Sequence, residues 1–427
     1  MVALQLRTSE IAVAELRDLP WSTPIDDWPE DITVRLPRGT HRHPVCFVER
    51  SGVYLALKEL PERLVRREFE LLSHLMEEGL PPVDVVGTAL SRRGAGDERL
   101  EGVIITRHLS YSLPYRSLFR GPIVPDVRQR LIDALAVLLV RLHLGGFFWG
   151  DCSLNNALFR RDAGALAAFV VDVETGELHE ELTDGQRTYE LDIAAENIAG
   201  GLFDLVAAGR IDEDDLDPFE VVESLRQRYA DLWAELTHVD EVGGDELYRI
   251  NERLRRVNEL GFDTAEVEVK ETGGERRFRF RPVVVEEGHH KRQLLQLTGI
   301  EVEQENQARR LLNAIRSFGA WLSEQEGRDL PEGVVAYRWL TERWDMTMAS
   351  IPTELAGRLE PAEIYHQVLE HTWFLSEQAG KDIGLDTAVD SYIEAVLRHQ
   401  PDERMVIDQP TAVLDLSDLA DVEDDTT

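Results

Sequence analysis

Cysteine is almost missing from this chain, with two, Cys46 and Cys152, in 427 residues. Two thiols cannot build a disulfide framework, which points to a reducing compartment. Long apolar runs are missing too. The most hydrophobic helical stretch, Leu131 to Trp149, is broken by Asp133, Arg141 and His143 and reads as core, not as a membrane span. Residues Leu4 to Glu10 lack the apolar core of a secretion signal, so a cytoplasmic protein is expected. Basic residues are scarce: 46 Lys and Arg stand against 81 Asp and Glu, a formal net charge of −35. Nucleic acid and anionic membranes attract proteins through dense Lys and Arg, which excludes both as general partners. No internal repeat is evident, and the length suits two or three domains.

What is present concentrates between Gly150 and Glu174. Gly150-Asp151-Cys152-Ser153-Leu154-Asn155-Asn156 is followed by an apolar run and then Val170-Val171-Asp172-Val173-Glu174. Asp-x-x-x-x-Asn, a strand, then Asp is the spacing by which phosphotransferases bring an acceptor-orienting acid and two magnesium ligands together. Mg²⁺ takes a carboxylate and an amide oxygen while keeping water, so Asn156 and Asp172 are the candidate metal ligands and Asp151 the candidate base. Upstream, Arg130 to His143 carries leucines at helical spacing, and Gly145-Gly146 ends it. Downstream, Ala157 to Phe159 and Ala167 to Val171 read as strands joined through Arg160 to Gly164. Trp149 reads as a packing residue. Cys152 reads as a small loop residue, with a redox-sensitive thiol as the alternative.

The N-terminal half supplies a lysine. Val53 to Leu60 alternates as a strand containing Ala56-Leu57-Lys58, and Ser51-Gly52 marks a hairpin behind it. Pro61 opens a helix to about Glu78 whose buried stripe holds Leu64, Leu71, Leu72 and Leu75. Glu68 falls on that stripe. A carboxylate there is costly unless paired, and Lys58 is the expected partner, with an outward-snorkelling Glu68 as the alternative. Residues 36–44 lie where a phosphate-covering loop belongs but hold a single glycine. There Arg38, His41, Arg42 and His43 either contact phosphate by side chain or form a solvated basic turn. Val103 to Leu109 reads as the strand entering a hinge, with Thr106 near a base and backbone groups from Arg107 to Leu109, His108 included, pairing with it; an ordinary buried strand is the alternative. Tyr189 to Glu196 reads as a helix start that resembles the kinase C-lobe helix, which implies that Asp192 braces the loop. No Ala-Pro-Glu element or long activation segment fits between Asp172 and Asp192, which favours a small or carbohydrate-like acceptor over a peptide.

Residues 36–235 resemble the lipopolysaccharide core kinase branch of the protein-kinase-like superfamily, on Ala56-Leu57-Lys58, Arg67-Glu68-Phe69, Gly150-Asp151 through Asn156, and Val170-Val171-Asp172. The whole chain resembles an actinobacterial family that joins such a part to a C-terminal domain of unknown function. The second resemblance rests on Gly288-His289-His290, Leu297-Thr298-Gly299, Glu305 to Arg310 and His366 to Glu377. It implies a bilobal kinase fold and supplies no substrate; lipopolysaccharide itself is not carried over as the acceptor.

In the C-terminal part, Val267 to Lys270 and Arg277 to Phe280 alternate around Thr272-Gly273-Gly274 as a hairpin. Its polar face suits cross-strand ion pairs. From Glu303 the pattern is helical, and Arg309 and Arg310 are read as ion-pairing residues. His366, Glu370 and His371 do not have the spacing of zinc sites. The acidic stretch after Pro410 reads as a disordered tail able to dock on a partner.

The expectation is an α+β chain. Residues 1–110 are an N-terminal segment and kinase-like N-lobe, 111–240 a C-lobe, 245–405 a mostly helical α+β domain, and 408–427 an acidic tail. An ATP- and Mg²⁺-dependent phosphotransferase acting on a hydroxyl is expected, with Lys58 and Glu68 completing the catalytic set. Thr106, His108, Arg38 and Arg42 are the further nucleotide contacts. Two alternatives stay open: a nucleotide-binding pseudokinase that serves as a regulatory or scaffolding module, and a protein nucleotidyltransferase. A protein partner through the C-terminal domain or tail belongs to the same expectation.

Overall fold

A computed structural model describes residues 4–8, 13–34, 43–115, 125–211, 216–237, 240–243, 266–272, 275–281, 289–381, 383–400 and 402–403. The first sheet holds β1 (Gln5–Thr8), β2 (Thr33–Val34), β3 (Val45–Arg50), β4 (Val53–Leu60), β5 (Val85–Leu90) and β6 (Gly102–Arg107). Its order is β1-β5-β6-β4-β3-β2, and every pairing is antiparallel. The β3–β4 hairpin turns at Ser51 and Gly52, both at positive φ, as a two-residue turn between right-twisted strands requires.

Strand alternation sorts β4 into two faces. Leu55 and Leu57 enter a core with Leu16, Leu19, Trp21, Ile25 and Trp28 from the preceding segment, which includes α1 (Val13–Arg17). Tyr54, Ala56 and Lys58 take the opposite face, where Tyr54 and Ala56 join Val34, Val45 and Phe47 in a small apolar cluster. The arrangement therefore presents Lys58 at the end of an apolar ceiling. Helix α2 (Glu62–Glu77) begins after Pro61, which stands at the N-cap, and packs on β5 and β6.

A second layer follows: β7 (Leu113–Pro114), α3 (Pro125–Leu144), β8 (Phe147–Phe148), β9 (Ala157–Asp162), β10 (Ala165–Val170), β11 (Glu177–Leu178), α4 (Asp184–Ala207) and α5 (Pro218–Thr237). The leucine stripe of α3 meets α5 and β10. One continuous core runs from Leu60, Val65 and Leu72 through Leu135, Leu139 and Trp149 to Leu232 and Leu236, so α2 and the helical layer share their burial. The β9–β10 hairpin is tighter than the spacing suggested: Arg160, Arg161 and Asp162 belong to β9, and the turn is Ala163-Gly164 alone. Charged residues read as loop because their partners, described below, lie far along the chain.

Strands β12 (Asp240–Gly243), β13 (Glu266–Thr272) and β14 (Glu275–Arg281) form a separate sheet in the order β12-β14-β13. The expected hairpin is thus paired from Glu266 opposite Arg281 to Thr272 opposite Glu275. Six α-helices follow among the described residues: α6 (His289–Thr298), α7 (Glu305–Glu326), α8 (Glu332–Trp339), α9 (Asp345–Ser350), α10 (Pro361–Ala379) and α11 (Leu385–Ala395). They bury two clusters of their own, one around Leu311, Trp339 and Tyr365, the other around Val368, Tyr392 and Leu397. No described helix is long and apolar enough to cross a membrane.

Candidate active site

The pair inferred from the cost of a buried carboxylate is made. Glu68 is 1% exposed, and Lys58 Nζ lies 3.2 Å from its Oε2. The same ammonium donates to Asp172 Oδ2 at 2.9 Å, so one lysine joins α2 to the strand end after β10. Glu174 enters the same space: its buried Oε2 makes no hydrogen bond and sits 3.8 Å from Lys58 Nζ and 3.5 Å from His43 Nε2. Ligand oxygens of Glu68, Asp172 and Glu174 lie within 4.8 Å of one another. Three carboxylates thus share one ammonium. Burial pushes Glu68 up to about 7, the nearby Lys58 only partly opposing it. Burial also pulls the Lys58 ammonium down, but Glu68, Asp172 and Glu174 outweigh it and hold its pKa above the ordinary lysine value.

The loop after β8 delivers the other acid. Gly150 has φ +78°, a region where side chains are strained, and a Cβ there would stand 3.2 Å from the Thr175 carbonyl. Asp151 follows it and is held from both sides. Asn156 Nδ2 donates to Asp151 Oδ2 at 3.0 Å, and Asn197 Nδ2 donates to Asp151 Oδ1 at 3.1 Å. With its nitrogen turned to Asp151, the Asn156 amide turns its oxygen the other way. Asn156 and Asp172 are brought close through the backbone: Val171 N–H donates to the Asn156 carbonyl at 3.1 Å. Trp149, fully buried, donates its indole N–H to the Asp172 carbonyl at 2.6 Å, so the tryptophan fixes that strand end as well as filling space. Arg67 of α2 donates to the Gly176 carbonyl at 2.7 Å and closes the same loop from above.

Bracing of this loop differs from the expectation. Helix α4 starts at Asp184, so Tyr189 to Asp192 lies in its second and third turns, and Asp192 points outward to Arg226. Glu190, fully buried, does the bracing: it accepts from Trp149 N at 3.0 Å, Gly150 N at 2.7 Å and His143 Nε2 at 2.9 Å. His143 Nδ1 in turn meets Tyr229 Oη at 2.6 Å. The signal for Glu190 was available, because it lies on the stripe of Ala194, Ile198 and Leu202, as Glu68 does on its own helix. Asn197 and Tyr229 carried no such signal.

At the hinge, Thr106 stands opposite Ala56 in the ladder and shares its face. The ring of His108 packs edge-on to Phe47 at 5.5 Å, and burial with the Arg160 charge lowers its pKa to about 4, so it is neutral near pH 7. The amides expected to pair with a base are in part committed: Arg107 N–H donates to the Asp84 carbonyl and His108 N–H to the Tyr54 carbonyl. Neither donor is available to a ligand without losing that bond. Arg38 and Arg42 lie outside the described residues, as does the acidic tail. Cys152 is fully buried, and burial with Glu190 and Asp151 nearby raises its thiol well above the ordinary range, which supports the small-loop-residue reading. In the C-terminal helices His371 meets Ser391 at 3.0 Å, whereas His366 meets Glu370 at 3.3 Å.

The donor set fits a hard cation. The carboxylate oxygens of Glu68, Asp172 and Glu174, an excess of negative charge and a buried, unbonded Glu174 oxygen are the kind of ligands such an ion takes.

Comparison with known proteins places two matches on this geometry. Residues 50–193 match the Lipopolysaccharide kinase (Kdo/WaaP) family, and residues 231–397 match a Domain of unknown function, DUF4032. A solved structure described as WaaP in complex with acyl carrier protein aligns at 16% identity and a TM-score of 0.36, covering 60% of this chain and 99% of that one. No curated protein matches the chain. With the family match over residues 50–193, the described elements make a kinase-like α+β fold with a helical C-terminal region.

Proposed function

We propose that this chain, carrying a lipopolysaccharide-kinase-like part and a DUF4032 part, transfers the γ-phosphoryl group of ATP to a hydroxyl of a small-molecule or carbohydrate-like acceptor. The observation that supports it best is Lys58 held between Glu68 and Asp172, with Asp151 and Asn156 hydrogen-bonded beside the same strand end. On this reading Lys58 binds phosphate oxygens and Glu68 keeps it in place. Asp172 and Asn156 hold Mg²⁺, which when bound would neutralise charge on the phosphates. Asp151, its plane fixed by two amides, orients the acceptor hydroxyl and takes its proton. Arg38 and Arg42 add phosphate contacts, Thr106 and His108 line the base side, and the apolar face of Phe47 and Ala56 covers the base. The domain division at 1–110, 111–240, 245–405 and 408–427, a cytoplasmic setting and a protein partner through the C-terminal part belong to the same proposal.

The short path after Asp172 supports the acceptor class. Only β11 and a turn separate it from α4, too little chain for a peptide platform. General-base help is worth about 10²–10⁴-fold in rate. Asp151→Ala is therefore expected to lose γ-phosphoryl transfer by about that factor while keeping nucleotide affinity. Asp172→Ala is expected to weaken Mg²⁺-nucleotide binding itself. Both are read by isothermal titration and by labelled-ATP transfer into a metabolite extract. Nucleotide-induced stabilisation without turnover would favour the pseudokinase, and incorporation of α-label would favour the nucleotidyltransferase.

A further inference from the structure

Hairpin turns belong on surfaces, where polar residues and water satisfy their backbone. The β9–β10 turn does the opposite. Ala163 is 2% exposed although it occupies the left-handed region at φ 49°, where Asn or Asp would be the usual choice. Its N–H donates at 3.0 Å to Glu363, a carboxylate on α10 that is itself 4% exposed. Gly164 follows at φ +88°, and a Cβ there would sit 3.2 Å from His366 Nε2 of the same helix.

Every residue from Arg160 to Ala163 is bonded to the C-terminal helices or the chain flanking them. Arg160 Nη2 donates to Glu360 at 2.6 Å, and Arg161 Nε donates to Glu403 at 2.9 Å. At the start of α7, Gln307 N–H donates to Asp162 Oδ1 and Asn306 Nδ2 to the Asp162 carbonyl, both at 2.9 Å. Gln307 Nε2 reaches the Arg161 carbonyl at 3.1 Å. The grip is polar, largely buried and directional, so it fixes register, where apolar packing would permit sliding.

The other end of this hairpin is the candidate metal site. Ala157, directly after Asn156, pairs with Val170, and the ladder runs unbroken from there to Asp162 opposite Ala165. Val171 N–H bonds the Asn156 carbonyl, and Asp172 comes next. Six residues of strand span about 20 Å, so a twisted ladder of paired strands joins the gripped turn to both candidate ligands.

On the phosphotransfer reading of Asn156 and Asp172, we infer that the C-terminal helices are a positioning device for the metal site, acting through the β9–β10 hairpin, with Glu363 and Arg161 as its principal contacts. This assigns the part matching the domain of unknown function, with Glu403 just beyond it, a role in positioning the reaction centre. Neither residue touches the candidate site, so each is a positioning residue.

The test uses the full chain. Glu363→Ala and Arg161→Met are compared with Glu363→Gln, whose amide oxygen can still accept from Ala163. Amide hydrogen exchange is followed at 155–158 and 169–173, alongside titration with Mg²⁺-ATP and with ATP in excess EDTA. Expected is faster exchange at both ends of the hairpin in the first two variants. Their Mg²⁺-ATP affinity should be about three- to thirty-fold weaker, metal-free ATP binding should be unchanged, and the Gln variant should approach wild type. Faster exchange confined to 160–165, with unchanged protection around Asn156 and Asp172, would overturn the inference. A wild-type chain that binds no Mg²⁺-ATP would sink the phosphotransfer reading instead, and the exchange comparison alone would then decide the hairpin's role. Should Glu363→Ala fail to fold, Arg161→Met and Glu363→Gln carry the same comparison.

Discussion

Glu68 shows how one side chain can serve the site at the expense of the fold. Its carboxyl is the deepest of the three around Lys58, and burial raises its pKa from 4.5 to about 7. The folded chain therefore holds a proton that the unfolded chain has already released between those values. The contribution of this group to stability is complete below the unfolded value and is lost as pH rises through the folded one. Replacing Glu68 by Gln removes the titration and keeps the shape. Lys58 retains Asp172 and Glu174 in that variant, so no cation is stranded. Glu68→Gln is therefore expected to be more heat-stable than wild type near pH 8, by up to about 3 kcal/mol, and close to it near pH 5. Phosphoryl transfer should fall, because a neutral amide holds Lys58 less firmly. Calorimetry at the two pH values checks the first part. A variant destabilised near pH 8 would mean that the ion pair outweighs burial.

At the scale of elements, the loop holding Asp151 is shaped mainly by α4 and α3. Glu190 accepts from two loop amides and from His143; Trp149 and the histidine are buried and Gly150 is half-buried. Glu190→Ala leaves these donors without an acceptor and should cost roughly 3 kcal/mol or more in urea unfolding. Asp192→Ala, losing only a half-exposed pair with Arg226, should stay within about 0.5 kcal/mol. Equal effects would return the bracing role to Asp192. This pair also marks how far the sequence could be read. Lys58 with Glu68 was legible because strand alternation and a helical stripe are local periodicities, and a buried acid demands a partner. Asp151, Asn156 and Asp172 were legible because short spacing leaves few ways to arrange them. Glu190 obeys the same stripe rule as Glu68, two residues before the aspartate that the kinase resemblance singles out. Asn197, Tyr229 and the acceptors of Arg160 and Arg161 were not legible at all. They come from 45 to 242 residues away, and no local pattern reports a partner at that separation.

Across the whole molecule, the seam between the hairpin and the C-terminal helices is built from charge. Arg160 and Arg161 face Glu360 and Glu403, with Glu303 on the rim and Asp162, Glu363, His366 and Glu370 around the same turn. A surface salt bridge would weaken in mild acid as its carboxylate took up a proton. Here burial is the largest influence on Glu360 and on Glu403 and raises both, with the arginines only partly offsetting it. Opening the seam returns both groups to the ordinary carboxylate range, so the closed form binds more protons just above that range. Mild acid must then favour closure. The free energy of opening at the Ala163 amide should hold or increase from about pH 8 to about pH 5.5, by native-state exchange corrected for intrinsic rate. Repeating it in His366→Gln separates the histidine beside Gly164 from the carboxylates. If acid loosens the turn in both proteins, the pairs with Arg160 and Arg161 dominate burial. The seam would then behave as a set of salt bridges, and closing it would grow easier with rising pH.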